Sequence, residues 1–182
     1  MEKYLIIAIL VIGVTAFVAL SWWVCRLKED NIAAAEELLR NRTVGGIMAA
    51  IALIWVVPHV QAVAWYSLVP WVWPLAVLAL FLSIKYLDNI VARAFAGLLI
   101  MGAYSFLDMS FDYCLGMYIS GAVPPWVWGC IGITIAAKPC YLRDFLRLCA
   151  RKKLWRYLTT GLCGVTALFL LATIAIFWKV QG

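Results

Sequence analysis

The chain has 182 residues, of which 66% are hydrophobic and only 13% are charged, and its formal net charge is +6. Its mean hydropathy of +0.98 excludes an ordinary soluble globular domain, in which apolar and charged residues are more evenly balanced. A helix needs about 20 apolar residues to cross a bilayer, and runs of about that length recur along the whole chain.

We predict an all-α fold, a polytopic integral membrane bundle of about six transmembrane helices that forms a single membrane domain over residues 1–182. The predicted spans are, in chain order, 4–23, 44–66, 71–84, 91–107, 125–137 and 158–178. Before the first span stands Lys3, offset by Glu2, in place of a basic leader, so we expect a retained helix. The third and fifth spans are short, which favours a thinned bilayer or packing inside an oligomer.

The basic residues predict the orientation in the membrane. All but Lys3 and Lys179 of the 15 Lys and Arg residues fall in three short gaps between apolar runs, at 26–42, 85–93 and 138–156. Basic residues in short loops remain on the cytoplasmic side during insertion, so all three gaps are predicted to be cytoplasmic. Both termini are then external, and the expected location is the cytoplasmic (inner) membrane.

The first gap predicts a short amphipathic segment over 30–41. Asp30 or Asn31 is a suitable helix cap, and the apolar side is formed by Ile32, Ala35, Leu38 and Leu39. Because the charges in this gap balance, anionic lipid would add little, and we expect contact with another protein or with the basic loop of the same chain. A solvated linker is the alternative.

Two segments of the chain suggest an internal repeat. Pro-Trp-Val-Trp occurs at 70–73 and again at 125–128, and with a four-residue gap the preceding helices align with Arg42 on Arg93 and Gly46 on Gly97. We therefore predict two parallel helical hairpins, 44–87 and 91–142. Coincidence is the alternative, because Trp after Pro suits any interfacial turn. The aromatic residues around the two outer turns are expected to form an external belt: Trp65, Tyr66, Trp71, Trp73, Trp126 and Trp128.

Polar residues inside membrane spans are costly and mark candidate sites. His59 and Gln61 follow Pro58 late in the second span, and Asp108 and Asp112 have the i, i+4 spacing of one helix face. All four are expected in the outer leaflet, where they would bind a cation or relay protons. A pair of solvated carboxylates with a hydrogen-bonded packing histidine is the favoured interpretation.

The third gap predicts a basic amphipathic segment over 138–157. Apolar residues at helical spacing oppose arginines at steps of four. Anionic lipid is the predicted partner, because each cation near an anionic leaflet contributes about 1 kcal/mol. Topology alone would also require basic residues here. The predicted lipid-binding residues are Arg143, Arg147, Arg151, Lys152, Lys153 and Arg156.

The motifs of several enzyme classes are missing from the sequence. The six cysteines form no C-x-x-C, a second His for bis-His haem ligation is lacking, and phosphate, zinc or nucleophile motifs are not found. We predict no metal site and no cofactor. Nucleic acid is not an expected partner, since the basic residues are distributed by topology.

Three functions remain open. The leading hypothesis is a non-enzymatic membrane subunit that forms a homo-oligomer or anchors a partner, with its basic helix on anionic lipid. The alternative is a small transporter or channel formed by oligomerisation around the outer polar cluster. The third is an intramembrane enzyme acting on lipid or quinone, which is less favoured because no motif indicates a chemistry.

Overall fold

All the regular secondary structure is helical over residues 2–112 and 119–181, the parts of the chain that the computed structural model describes. The prediction of an all-α helical membrane bundle is confirmed. A single 3₁₀ turn, Glu29–Asn31, precedes the second of eight helices in these ranges. The helices are α1 (Glu2–Cys25), α2 (Ile32–Arg40), α3 (Arg42–Val63), α4 (Val69–Tyr86), α5 (Ile90–Asp112), α6 (Ile119–Ala137), α7 (Cys140–Arg151) and α8 (Lys153–Gln181).

Five of these helices, α1, α3, α4, α5 and α8, are long and apolar enough to cross a membrane, and α6 contributes the shorter apolar stretch Val123–Ala137. The predicted spans correspond in order to these six helices. The third span is longer than predicted, since α4 has 18 residues and takes in Pro70 near its start and Lys85 in its last turn. Proline suits this position, because the first amides of a helix have no intrahelical partner. The predicted shortness therefore does not apply to α4.

The chain divides into two compact units, and the first comprises Met1–Ile32 and Phe145–Gly182. In this unit α1 packs against α8. A Cβ added to Gly13 would stand 3.3 Å from Leu170 Cδ1. Farther along α1, Ser21 Oγ donates to the Thr160 carbonyl oxygen at 3.3 Å. The partner residue number falls as the α1 number rises, so the two helices are antiparallel.

The second unit is Ala33–Asp144, and its centre is a seam between α3 and α5. A Cβ on Gly45 would meet Ile90 and Val91, and one on Gly97 would stand 3.9 Å from Ala52 Cβ. His59 contacts Tyr104 at the far end of the same seam. The contacting residues advance by seven along both helices, so α3 and α5 run parallel with the packing period of a coiled coil.

Each seam helix also pairs with the helix that follows it in sequence. A Cβ on Gly46 of α3 would stand 3.2 Å from Ile84 Cδ1 of α4. On α6, Gly129 faces Ala103 and Gly132 faces Ile100 of α5. These contacts form two antiparallel hairpins. The small residues of α3 and α6 thus pack helices of the same chain, as small residues do wherever helix backbones approach closely in membranes.

The links between helices in this unit are short and use asparagine. Asn41 caps α3, since its side-chain oxygen accepts the amide hydrogens of Thr43 at 2.9 Å and Val44 at 3.2 Å. Asn89 has a φ of 57° between α4 and α5, a left-handed conformation that asparagine tolerates better than most residues. These residues end one helix and start the next within a few positions, which keeps the hairpins adjacent.

The predicted repeat has unequal environments at its two copies. Gly46 faces α4 of its own hairpin, whereas the aligned Gly97 faces Ala52 of α3. Trp126 is 68% exposed, but Trp128 is only 8% exposed and its ring meets Phe106 edge-on, with ring centroids 6.0 Å apart. Trp128 is therefore a packing residue between α5 and α6, in contrast to the predicted belt. Common ancestry of the hairpins remains a prediction.

Candidate functional site

His59 is fixed by its own helix. Its Nδ1 lies 3.0 Å from the Trp55 carbonyl oxygen, one turn earlier on α3. A carbonyl oxygen only accepts, so Nδ1 carries a hydrogen and donates it. Nε2 is then the ring atom left for another partner in the neutral side chain. Pro58 lies within α3 directly before His59 and lacks an amide hydrogen, which breaks the helical ladder at this level.

The ring of His59 packs on Tyr104 of α5. The centroids are 5.3 Å apart and the planes meet at 83°, an edge-to-face arrangement. Asp108 lies one turn beyond Tyr104 on α5, and it is exposed. The seam therefore brings a histidine, a tyrosine and a carboxylate to one end of the α3 and α5 pair.

The other two residues of the predicted polar cluster are Gln61 and Asp112. Gln61 is half-buried on α3, and the side chain of Asp112 lies outside the part of the chain that the structure describes. Over the described residues, no hydrogen bond or ion pair connects His59 with Asp108, and no group of three or more His, Cys, Asp or Glu residues could hold a metal ion. A chemical role for the four-residue cluster stays a prediction.

Tyr104 is the member of this region that the sequence prediction missed. Its signal is present in the sequence, because residues 45, 52 and 59 and residues 90, 97 and 104 each advance by seven. That signal becomes readable only when α3 is known to pack in parallel with α5. Polarity alone selected His59 and Asp108 and passed over the aromatic residue between them.

The basic segment predicted over 138–157 is divided in the structure. Helix α7 ends at Arg151 and α8 begins at Lys153, so the residues from Lys153 to Tyr157 belong to the long apolar helix. Along α7, Leu146, Cys149 and Ala150 are buried. Arg143 and Arg151 are exposed, and Arg147 is half-buried with an interaction partner. Buried and exposed residues thus follow the helical period.

Arg156 differs from the other predicted lipid-binding residues. Its Nη1 donates to the Leu27 carbonyl oxygen at 2.8 Å, just beyond the end of α1. Its Nε is buried, and no partner for it is found among the described residues. The Arg156 side chain therefore links α1 with α8 inside the first unit, while Arg143, Arg151, Lys152 and Lys153 remain exposed.

Arg143 of α7 forms an ion pair with its neighbour Asp144. Arg143 Nε lies 3.5 Å from Asp144 Oδ1, and both side chains are about half exposed. Such a pair contributes about 0 to 1 kcal/mol, because water screens it and two side chains must be ordered. The pair with Asp144 therefore offsets little of the charge of Arg143.

Comparison of the chain with protein-family models, with characterised proteins and with solved structures finds no match.

Proposed function

We propose that this protein is a non-enzymatic integral membrane subunit whose helix α7 lies on the cytoplasmic membrane surface and contacts anionic lipid there. The observation that carries the proposal is the burial pattern of α7. Leu146 and Cys149 face the protein, and Arg143 and Arg151 are exposed. An amphipathic helix of this kind, placed between two membrane helices, suits the boundary between acyl chains and headgroups.

The charge of the region supports the same proposal. Residues 138–157 contain seven Lys and Arg residues and one acid, Asp144. Arg156 is engaged by the Leu27 carbonyl oxygen and Arg147 has a partner, whereas Arg143, Arg151, Lys152 and Lys153 are exposed and can face a negatively charged leaflet. Each contributes about 1 kcal/mol near such a surface. A zwitterionic leaflet offers no comparable attraction.

A subunit role also fits the distribution of the chain. Its described residues lie almost entirely in apolar helices and the short links between them. Helix α4 has no buried residue and packs on α3, so much of its surface meets lipid or a partner. We propose that the protein anchors a membrane partner or a second copy through its spans, and that the partner supplies any soluble activity.

The test is hydrogen exchange of residues 140–151 in nanodiscs. Discs of phosphatidylcholine are compared with discs that also contain phosphatidylglycerol. We expect slower exchange in α7 with the anionic lipid, and loss of that difference in a variant with Arg143, Arg147 and Arg151 changed to Gln. Equal exchange in both lipids for the unaltered chain would contradict the proposal.

The transporter alternative rests on the contact of His59 with Tyr104, since it places polar groups on the central seam. A transport site needs polar groups along a path through the protein. Four polar side chains among the described residues lie at one end of the seam: His59, Gln61, Tyr104 and Asp108. We therefore rank transport below the subunit role.

A further inference from the structure

We propose that the basic end of the α1 and α8 pair is a discrete site for the headgroup of one anionic glycerophospholipid. The site, called here the α1/α8 headgroup site, consists of Arg26, Lys152 and Lys153, with Trp22 under Arg26. The proposal rests on the proposed function in one respect, namely that this end of the helices faces a leaflet that contains anionic lipid.

The α1 side of the site has the chemical order of a phospholipid. Val18, Trp22 and Arg26 are spaced by four, so they lie along one side of the helix. Val18 is 53% exposed and Trp22 is 59% exposed. The Arg26 guanidinium carbon lies 3.9 Å from the centroid of the Trp22 ring. The surface therefore passes from aliphatic to aromatic to cationic, matching acyl chain, glycerol region and phosphate.

Stacking prepares Arg26 for a phosphate. A guanidinium placed over an aromatic ring can still donate from its N–H groups to anionic oxygens. Arg26 forms no ion pair within the described part of the chain. Its charge is thus both oriented and uncompensated by a carboxylate.

The α8 side brings two lysines to the same end. The hydrogen bond from Arg156 Nη1 to the Leu27 carbonyl oxygen fixes the start of α8 beside the residue that follows Arg26. Lys152 and Lys153 precede Arg156 by one turn, as the 3.3 Å hydrogen bond from the Arg156 amide to the Lys152 carbonyl oxygen indicates. Lys152, just before α8, and Lys153, its first residue, therefore stand one helical turn before the residue that contacts the end of α1. Both are exposed.

Exposed apolar side chains next to the cations favour lipid over a soluble polyanion as the ligand. A nucleic acid or an acidic peptide would engage the cations but leave Val18 and Trp22 uncovered. A phospholipid covers both parts at once, with its chains on the apolar stripe and its phosphate among the cations. Glu29 and Asp30 follow closely in the chain and are exposed, which makes the local charge excess modest and favours one headgroup over a long polyanion.

Native mass spectrometry of the detergent-purified full chain tests the site. Phosphatidylglycerol and phosphatidylcholine with the same acyl chains are titrated, and we expect one phosphatidylglycerol to be retained in preference. The variant R26Q/K152Q/K153Q should lose that preference by about 100-fold, because three cations at about 1 kcal/mol each amount to about two factors of ten. The matched control R42Q/K85Q/R93Q removes three exposed cations from the other unit and should retain it.

Several results would overturn the site. Equal losses in the two triple variants would indicate diffuse attraction, and no loss in R26Q/K152Q/K153Q would remove these residues from binding. Displacement of the lipid by inorganic phosphate, an acidic peptide or an oligonucleotide at constant ionic strength would assign the surface to a soluble anion. Melting of each variant is measured alongside, and we expect it unchanged because Arg156 is intact.

The same titration separates this inference from the proposed function. The variant R143Q/R147Q/R151Q should keep the preferred lipid, because its cations lie on α7. Loss of the lipid in that variant alone would leave α7 as the lipid-binding surface and overturn the α1/α8 headgroup site. Loss of the phosphatidylglycerol preference in R26Q/K152Q/K153Q alone supports the site, even if hydrogen exchange in α7 is the same in zwitterionic and anionic lipid.

Discussion

Gly45 and Val91 lie in direct backbone contact across the α3 and α5 seam, because a Cβ added at Gly45 would stand only 2.9 Å from the Val91 amide nitrogen. A backbone atom cannot move aside as a flexible side chain can. We expect Gly45→Ala to destabilise the protein by about 1 to 3 kcal/mol, as overpacking does in close-packed interiors. Thermal unfolding of the detergent-solubilised protein measures the loss.

The control for this prediction is Gly102→Ala in α5. No atom of a neighbour lies within 4 Å of a Cβ built at Gly102. Alanine there should be neutral or stabilise by up to about 1 kcal/mol, since glycine is a poor helix former. Equal destabilisation by both substitutions would mean that the seam is not as close as described.

Arg156 should matter more for folding than its neighbours. Arg156→Gln removes the donor to the Leu27 carbonyl oxygen, and we expect a loss of about 1.5 to 3 kcal/mol, the usual range for a hydrogen bond to a charged group. Arg151→Gln removes the same charge from an exposed position and should cost little. If the two variants have the same melting temperature, Arg156 does not hold α1 against α8.

Replacing each of the two tryptophans of the second Pro-Trp-Val-Trp segment separately should have clearly different effects on the free energy of unfolding. Trp128→Ala deletes a buried ring that meets Phe106, so we expect a loss of about 3 to 5 kcal/mol. Trp126→Ala changes an exposed side chain and should leave the unfolding free energy nearly unchanged. The reverse order would support the aromatic belt predicted from sequence over the packing described for α6.

The outer polar cluster gives a prediction about transport. If the subunit role is correct, proteoliposomes of the unaltered protein and of Asp108→Asn and His59→Phe should show the same proton and potassium flux as empty liposomes. His59→Phe keeps a ring near Tyr104 and loses the Nδ1 donor, so the fold should tolerate it. A flux that depends on Asp108 or His59 would favour the transporter alternative.

The sequence predicted the helices well because the membrane imposes a simple rule. Long apolar runs separated by basic gaps correspond in order to the six apolar helices. The predicted ends of the helices were less accurate where a proline lies near the end. Span five was predicted from Pro125, whereas α6 begins at Ile119 and contains Pro124 and Pro125. Proline marks a missing amide, but a helix continues through it when its neighbours accommodate the ring.

Pairing could not be predicted in the same way. Gly46 faces Ile84 of the same chain, a pairing that its residue type alone does not indicate. Arg156 was grouped with the lipid-binding residues by charge, but it is directed to the Leu27 carbonyl oxygen. In each case the sequence specifies a residue type that suits close packing or an anion. The residue that contacts it depends on which helices pack together.

Orientation is the premise that the lipid proposals share, and thiol labelling in intact cells tests it most directly. A chain with its six native cysteines replaced receives one cysteine, either at Ser67 between α3 and α4 or at Lys152 between α7 and α8, both exposed positions. We predict that an impermeant maleimide labels Ser67→Cys in intact cells and labels Lys152→Cys only after permeabilisation. Labelling of Lys152→Cys but not Ser67→Cys in intact cells would contradict the account.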